Sequence, residues 1–183
     1  IKLPLPPGAL PTLWNADDRF RDAYLTAFPG YYSTSDAGFI DEEGYVYVMG
    51  RTDDVINVAG HRLSTGEMEE AVAGHPAVAE CAVIGMRDAL KGELPCGFVV
   101  LKNTSQLDRG QIEAELITLV RERIGPVAAF KRVLVVDKLP KTRSGKVLRR
   151  TMKAIVDRDD YETPATIEDA TALDDIRRAV SGD

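Results

Sequence analysis

The organisation of this chain is decided by one stretch, Gly50-Arg-Thr-Asp-Asp-Val-Ile-Asn-Val-Ala-Gly-His-Arg62. Its polar opening interrupts a β-strand pattern that Val55, Ile56 and Val58 then resume. We therefore predict a domain boundary after residue 52, with Asp53 as the pivot. Beyond the boundary the patterns follow the order helix, strand, strand, helix, strand, helix. This order predicts an α+β domain of roughly 100 residues, with a short mixed sheet flanked by helices.

Upstream of the boundary, the sequence predicts an antiparallel β segment preceded by one helix. Phe20, Tyr24 and Ala27 share one face of a helix predicted over residues 17–28. The predicted strands are residues 31–34, 38–40 and 45–49. Glu42-Glu43-Gly44 predicts a hairpin turn between the last two strands, because glycine readily adopts a positive φ. The chain begins at Ile1 without methionine in a proline-rich run, so we expect it to be part of a longer protein.

Downstream of the boundary, helical spacing is the strongest signal. Ser64 and Glu67 have the spacing of a capping box, ahead of an apolar helix face. The longest predicted helix covers residues 107–124 and keeps Arg121 off its apolar side. The apolar positions of these two helices are Met68, Ala71 and Val72, and Ile112, Leu116, Leu119, Val120 and Ile124. Further predicted elements are strands at 80–86, 95–101 and 132–136, a polar loop at 138–145, a helix at 146–156, and a weak helical signal at 173–180.

The composition excludes several classes of function. A net charge of −6 and an isoelectric point near 5.0 argue against a nucleic-acid-binding arm or a polybasic membrane patch. The sequence has no apolar run long enough to cross a membrane and no signal-peptide pattern at its start, so we expect a cytoplasmic protein. Cys81 and Cys96 each lie in an apolar run, which predicts buried free thiols.

The loop Leu139-Pro-Lys-Thr-Arg-Ser-Gly-Lys146 is the best candidate for chemistry. Ser144 and Gly145 permit a tight backbone with free amides, a helix N-terminus would add positive potential, and Lys146 adds a charge on a long stem. Together they predict an anion site. The loop is not a Walker A motif, because Pro140 stands where the first glycine belongs. Taken by itself, a solvated basic loop remains the alternative.

Three further residues are candidates for binding a nucleotide. Asp36, between two short strands, can accept hydrogen bonds from a ribose diol. Arg51 ends the hairpin and offers fixed donors to the same sugar, and Arg62 can form a forked contact with phosphate oxygens. Each also has a plain alternative, as a loop aspartate, a surface arginine or part of a β-turn.

These motifs together resemble the adenylate-forming, AMP-dependent synthetase superfamily, and the acyl-CoA synthetases of the acetate and propionate type in particular. The motifs that carry the resemblance are Tyr32 to Asp36, Asp41-Glu-Glu-Gly-Tyr45, the stretch 50–62, Glu67, and Pro140-Lys-Thr-Arg-Ser-Gly-Lys146. The resemblance implies that residues 1–52 end a large adenylation domain, that 53–157 form a mobile C-terminal lid domain, and that 158–183 are an acidic tail.

The resemblance also implies roles in the first half of a two-step reaction. Members of the family join a carboxylic acid to ATP, and the lysine matching Lys146 is catalytic because it offsets charge between the carboxylate and the α-phosphate. Asp36 would bind the ribose hydroxyls, Arg51 would support the ribose, and Arg62 would approach the α-phosphate. The implied cofactors are ATP or AMP and coenzyme A, with Mg²⁺ accompanying ATP.

In the second step, the family turns the lid about the residue matching Asp53 and passes the acyl group to coenzyme A. Ala59 and Gly60 would then meet the pantetheine, and Arg121 the nucleotide of coenzyme A. Ala59 departs from the serine usual in acetate enzymes. The expected set contains no metal bound by the chain itself. Backbone oxygens near Ala73, His75 and Val78 are the alternative, since some members of the family hold Mg²⁺ there.

Details of the sequence lean toward the propionate type over the acetate type, namely residues 58–61, 125–130 and 165–169. The alternatives are an adenylation domain that loads a carrier protein and a non-catalytic lid-like module. An exposed Lys146 also suggests lysine acetylation machinery as a partner, besides the short-chain acid, ATP and coenzyme A. A mitochondrial matrix location is expected if the source is eukaryotic.

Overall fold

The chain forms two compact units in a computed structural model that describes residues 1–103 and 108–182. The first unit is Ile1–Asp53 and the second is Asp54–Asp183. Each unit mixes helix and strand, and the α+β prediction is confirmed. The assignment of 1–52 to the end of a large domain, 53–157 to a lid domain and 158–183 to an acidic tail stays a prediction.

The first unit contains one helix, α1, Asp17–Tyr24. Phe20 is buried, and its ring packs against those of Tyr24 and Tyr32 at centroid distances of 5.2 and 6.2 Å. The prediction extended this helix to residue 28, which was wrong. It ends earlier because the amide and hydroxyl of Thr26 both donate to the carbonyl of Arg21, at 3.1 and 3.0 Å, and turn the backbone.

The predicted hairpin in this unit is confirmed. It pairs β1, Asp36–Ile40, with β2, Val46–Arg51, in antiparallel register. The Asp41 carboxylate accepts two amides of the turn, at 3.0 and 2.8 Å, and Gly44 adopts a φ of +90°. Within the described residues, the segment 31–34 forms an isolated bridge in place of the predicted strand.

The second unit is built on a mixed sheet with β6, Gly92–Leu101, at its centre. One edge of β6 pairs antiparallel with β5, Val78–Asp88. Its other edge pairs in parallel with β7, Arg132–Val135, and touches β3, Val55–Val58, at a single position. β4, His61–Ser64, forms a hairpin with β3. The parallel pair is possible because a helical crossover joins β6 to β7.

Helices cover both faces of this sheet. They are α2, Thr65–Ala73, α3, Arg109–Arg123, α4, Arg149–Asp157, and α5, Thr171–Ser181. Successive strand residues point to opposite faces. Val83 therefore packs in the core under α2 and α3, whereas its neighbours Ala82 and Ile84 pack under α4 and α5.

The predicted apolar faces of α2 and α3 are confirmed, but their starts differ from the prediction. Ile112, Leu116 and Val120 are fully buried. The capping box is wrong, because in the described part of the chain the Ser64 side chain makes no capping hydrogen bond; Ser64 also ends β4, where strand pairing sets its backbone. Asp108 caps α3, and the predicted start at residue 107 lies outside the described residues.

Of the two C-terminal helices, α4 departs from expectation, whereas α5 confirms the helical signal at residues 173–180. α4 begins at Arg149, because Val147 pairs with Lys141 and the Leu148 amide donates to the Pro140 carbonyl at 2.9 Å. The acidic segment 158–183 contains α5, whose apolar residues belong to the core. None of the helices in the described residues has the length and apolarity needed to span a bilayer.

Candidate functional site

Lys146 lies in a tight hairpin ahead of α4. Its carbonyl accepts the Thr142 amide at 2.8 Å, and the Gly145 amide donates back to the Thr142 carbonyl at 2.8 Å. Gly145 closes the turn with a φ of +82°, a conformation that favours glycine. The Lys146 side chain is exposed at this turn, and within residues 1–103 and 108–182 its ammonium has no ion-pair partner.

Several backbone amides of the predicted anion site have partners within the fold, and the site itself stays a prediction. The Thr142 hydroxyl accepts the Lys146 amide at 3.1 Å and contacts the Ser144 hydroxyl at 3.0 Å. The Arg143 amide donates to the Thr166 carbonyl at 3.0 Å, and the helix N-terminus lies farther along the chain. The amides of Arg143, Gly145 and Lys146 are therefore used within the fold, and the exposed Lys146 ammonium is a group that can meet an anion.

The segment after α4 returns to support this hairpin. Glu168 donates its amide to the Lys141 carbonyl at 2.9 Å, beside the contact between Arg143 and Thr166. Lys138 donates to the Asp169 carboxylate and to the Thr171 hydroxyl, the latter at 2.6 Å. The hydrogen bond from Lys138 lowers the pKa of Asp169 to about 2. Part of the acidic segment is therefore a strap along the Lys146 hairpin.

An ion pair anchors the start of α4 on the other side. The Arg149 guanidinium donates to both oxygens of Glu69, at 2.9 Å each, and Glu69 also accepts the buried Val83 amide at 2.8 Å. Glu69 belongs to α2 and Val83 to the edge strand β5. The carboxylate thus joins α2, β5 and the residues directly after Lys146.

Ala59 and Gly60 form the two-residue turn between β3 and β4. Both have positive φ, +49° and +89°, as a type I′ hairpin requires. The Asn57 side chain accepts the Gly60 amide at 3.1 Å, and the Ala59 amide donates to the Lys91 carbonyl at 2.8 Å. Arg62 is opposite Asn57 in this hairpin and is exposed.

Arg121 lines an open depression of about 310 Å³ beside this turn. Lys91 and Lys131 also line it, and Phe130 and Pro126 give it an apolar wall. Among the described residues of this lining, three are cationic and none is acidic. Because the Lys91 carbonyl holds the Ala59 amide, the structure brings Ala59, Gly60 and Arg121 to one side of the second unit.

Asp36 and Arg51 lie in the first unit and are brought together there. They are direct partners at the open end of the β1–β2 hairpin. Next to them, Thr52 donates its amide to the Ser35 carbonyl at 2.8 Å. Asp53, the predicted hinge, follows in a short 3-10 turn, Thr52–Asp54, and its side chain lies outside the described part of the chain.

The sequence interpretation missed four residues that support these groups. Thr142 shapes the Lys146 hairpin, Glu69 anchors α4, and Lys91 and Lys131 extend the charge of Arg121. Thr142 had a usable signal, since hydroxyl residues often bond to amides within tight turns. The other three are far apart in sequence from their partners and lacked any such signal.

His75 and the two cysteines are occupied by structural contacts. His75 pairs with Glu115 at 3.0 Å and accepts the Ala77 amide at 3.3 Å. The described ranges hold no group of three or more His, Cys, Asp or Glu residues that could bind a metal ion. Both cysteines are free, and burial raises the pKa of Cys81 to about 11 and that of Cys96 to about 12.

Comparison with known proteins independently supports the resemblance to acyl-CoA synthetases that the sequence motifs indicate. Residues 67–146 match the family described as the AMP-binding enzyme C-terminal domain. The chain is 59% identical over 180 residues to an uncharacterized protein of Pseudomonas aeruginosa, covering 98% of this chain and 29% of that protein. It is 50% identical to the mouse mitochondrial acyl-CoA synthetase short-chain family member 3, covering 98% of this chain and 26% of the relative.

Two further similar proteins support the same resemblance. A propionate-CoA ligase of Escherichia coli K12 is 46% identical, over 98% of this chain and 30% of the relative. The crystal structure of ATP-bound MatB from Rhodopseudomonas palustris superimposes with a TM-score of 0.66 at 27% identity, over 80% of this chain and 28% of that one. The chain thus spans less than a third of the length of these relatives.

Proposed function

We propose, because residues 67–146 match the C-terminal domain of AMP-binding enzymes and the chain is similar to short-chain acyl-CoA synthetases over 98% of its length, that it is part of an AMP-forming acid-thiol ligase. The proposed enzyme joins a short-chain carboxylic acid to ATP with release of pyrophosphate. It then transfers the acyl group from the acyl-adenylate to the thiol of coenzyme A with release of AMP.

The observation that carries this proposal is the exposed Lys146 ammonium on a preformed hairpin. Backbone pairing, the strap at Thr166 and Glu168, and the Arg149–Glu69 pair all restrain the chain around it. A lysine presented in this way can enter a site where two anions meet and offset their repulsion. Lys146 would therefore act when the acid carboxylate attacks the α-phosphate of ATP.

We assign the remaining candidates to the nucleotide and to coenzyme A. Asp36 and Arg51, paired in one hairpin, would hold the ribose, and Arg62 would approach the α-phosphate. The Ala59–Gly60 turn would meet the pantetheine after rotation about Asp53. Arg121 would bind the nucleotide end of coenzyme A. The cationic depression around Arg121 fits phosphate groups, which supports that assignment.

The acid substrate and the cellular compartment are proposed from the relatives. A propionate-CoA ligase and mitochondrial short-chain synthetases are both among them. We propose propionate or acetate as the acid, and the cytoplasm or the mitochondrial matrix as the compartment. We propose that Mg²⁺ takes part as an ion bound to the phosphates of ATP. Acetylation of Lys146 would remove its positive charge and so abolish the first step.

The test compares the two half-reactions in the full-length protein. Lys146→Ala should reduce acid-dependent exchange of pyrophosphate into ATP by about 10²-fold or more, as loss of a preorganised charge does. Transfer from a supplied acyl-adenylate to coenzyme A should persist. Lys102→Ala is the matched control, since among the described residues the ammonium of this exposed lysine contacts the Pro76 carbonyl and no carboxylate. Unchanged exchange in the Lys146 variant would refute the proposal.

A further inference from the structure

We propose that Glu93 is a positioning residue for the Ala59–Gly60 turn, acting through Asn57, and that Lys153 holds Glu93 in place. The proposal rests on the function proposed above, because the turn matters there for the step that uses coenzyme A. It adds a residue from the central strand of the sheet that acts through the Asn57 amide.

Apart from its own β3–β4 hairpin and the bond from the Ala59 amide to the Lys91 carbonyl, the turn has little support from the rest of the sheet. β3 meets β6 at one register position, Val58 opposite Gly92. Beyond that point, the Glu93 carboxylate replaces the missing ladder bond by accepting the Asn57 amide at 3.1 Å. Asn57 in turn accepts the Gly60 amide through its side chain at 3.1 Å. Glu93 therefore fixes the residue that caps the turn.

Glu93 is held by Lys153, which lies 60 residues further along the chain in α4. The Lys153 ammonium lies 2.9 Å from the Glu93 carboxylate, 2.6 Å from the Gly85 carbonyl and 3.1 Å from Asp157. The Asp157 side chain is 1% exposed, and it also accepts the Arg87 amide at 2.7 Å. Burial acts to lower the pKa of Lys153, but the hydrogen bonds to Glu93 and Asp157 raise it overall.

The contacts of the Glu93 carboxylate are suited to holding the Asn57 amide in place. Glu93 is 29% exposed, so its bond to the lysine is only partly screened by water. The carboxylate also lies against Gly85, where an added Cβ would come within 3.0–3.1 Å of it. The two oxygens of the Glu93 carboxylate have different partners, because Oε1 accepts from Lys153 and Oε2 accepts from the Asn57 amide.

The same cluster connects the two groups that the proposed reaction uses, the Lys146 hairpin and the Ala59–Gly60 turn. Lys153 belongs to α4, the helix that directly follows the Lys146 hairpin. Asn57 begins the path to the turn that would meet coenzyme A. Loss of Glu93 would release the turn while leaving Lys146 with all its own supports, namely Thr142, the strap and Arg149. The two half-reactions should therefore respond differently.

The experiment measures both half-reactions in the full-length protein. Glu93→Ala should slow acyl transfer to coenzyme A, or raise KM for coenzyme A, about tenfold, the effect of losing one hydrogen bond to a charged group. Acid-dependent pyrophosphate exchange should stay within about twofold. Glu93→Gln, which keeps an acceptor for the Asn57 amide, should be intermediate. Glu115→Ala is the matched control, because it removes a carboxylate that is hydrogen-bonded to His75, in another part of the unit.

A second variant and a second measurement keep the idea independent of folding and of the proposed activity. Gly85→Ala leaves every charge in place but displaces the Glu93 carboxylate, and should reproduce the Glu93→Ala effect in part. Amide hydrogen exchange of the 183-residue chain should be faster at residues 57–61 in both variants and unchanged in Glu115→Ala.

The outcomes separate the two proposals. Faster exchange at the turn together with a selective loss of the coenzyme A step supports the positioning role. Equal loss of both half-reactions, or unchanged exchange at residues 57–61, overturns it. Wild-type protein that catalyses neither half-reaction overturns the proposed function, and the hydrogen-exchange comparison then still decides whether Glu93 holds the turn.

Discussion

Removing the Glu69 carboxylate should destabilise the second unit more than any single surface change. The side chains of Glu69 and Arg149 are only 18% and 29% exposed, and the guanidinium forms a bidentate contact at 2.9 Å. Glu69→Ala also leaves the buried Val83 amide without its 2.8 Å acceptor. The variant therefore loses two interactions of different kinds.

The expected magnitude follows from these contacts. An unsatisfied buried amide costs about 1–3 kcal/mol. Losing a half-buried bidentate pair adds about 1–2 kcal/mol after allowance for solvent screening. Glu69→Ala should therefore cost about 3 kcal/mol, whereas Arg149→Ala, which keeps the Val83 contact, should cost about 2 kcal/mol. The double variant should reveal a coupling of about 1.5 kcal/mol.

Urea unfolding of the four proteins measures this cycle. With a slope of about 2 kcal/mol per molar, Glu69→Ala should lower the midpoint by about 1.5 M. Asp137→Ala is a control, because its contact with Arg109 is long at 3.7 Å and well exposed. A coupling below about 0.5 kcal/mol would show that the pair is an ordinary surface contact and would refute the reasoning.

Three further predictions concern other parts of the second unit. The Asp169 carboxyl should protonate only near pH 2, against about 3.9 when unfolded, so the stability it contributes is present above about pH 4 and is lost as the pH falls to about 2. Asp169→Asn should flatten that loss in acid unfolding curves. Ala59→Gly should raise the free energy of unfolding by about 1 kcal/mol, because alanine is strained at positive φ; a decrease would contradict this. Buried Cys96 and partly buried Cys81, with their raised pKa values, should resist a thiol reagent at pH 8 until urea unfolds the chain, and rapid reaction of the native protein would contradict this.

Much of the fold was predictable wherever a local pattern carries the information. Ile112, Leu116 and Val120 recur at helical spacing, and they line the buried side of α3. Gly44 was predicted to make the β1–β2 turn, and the structure places it there at positive φ. In both places, residues within one or two turns of the chain decide the conformation.

The prediction failed where a distant segment competes with the local pattern. Val147 and Leu148 suggested a helix from residue 146, yet both bond across the hairpin to Lys141 and Pro140. Ser64 matched a capping box, but its pairing with Val55 in the β-hairpin sets its geometry. Neither contact can be inferred from spacing, because each depends on which strands meet.

The sequence by itself determined which functional side chains are present and in which motifs they occur, namely Lys146, Asp36, Arg51 and Arg62. The tertiary structure alone decided how those groups are held. Lys146 is presented by a hairpin closed by Thr142, and the Ala59–Gly60 turn is tied to Glu93, 33 residues along from Gly60 in a neighbouring strand. The physical reason is that side-chain identity is local information, whereas sheet register and the strap along the loop arise from contacts between segments that only folding brings together.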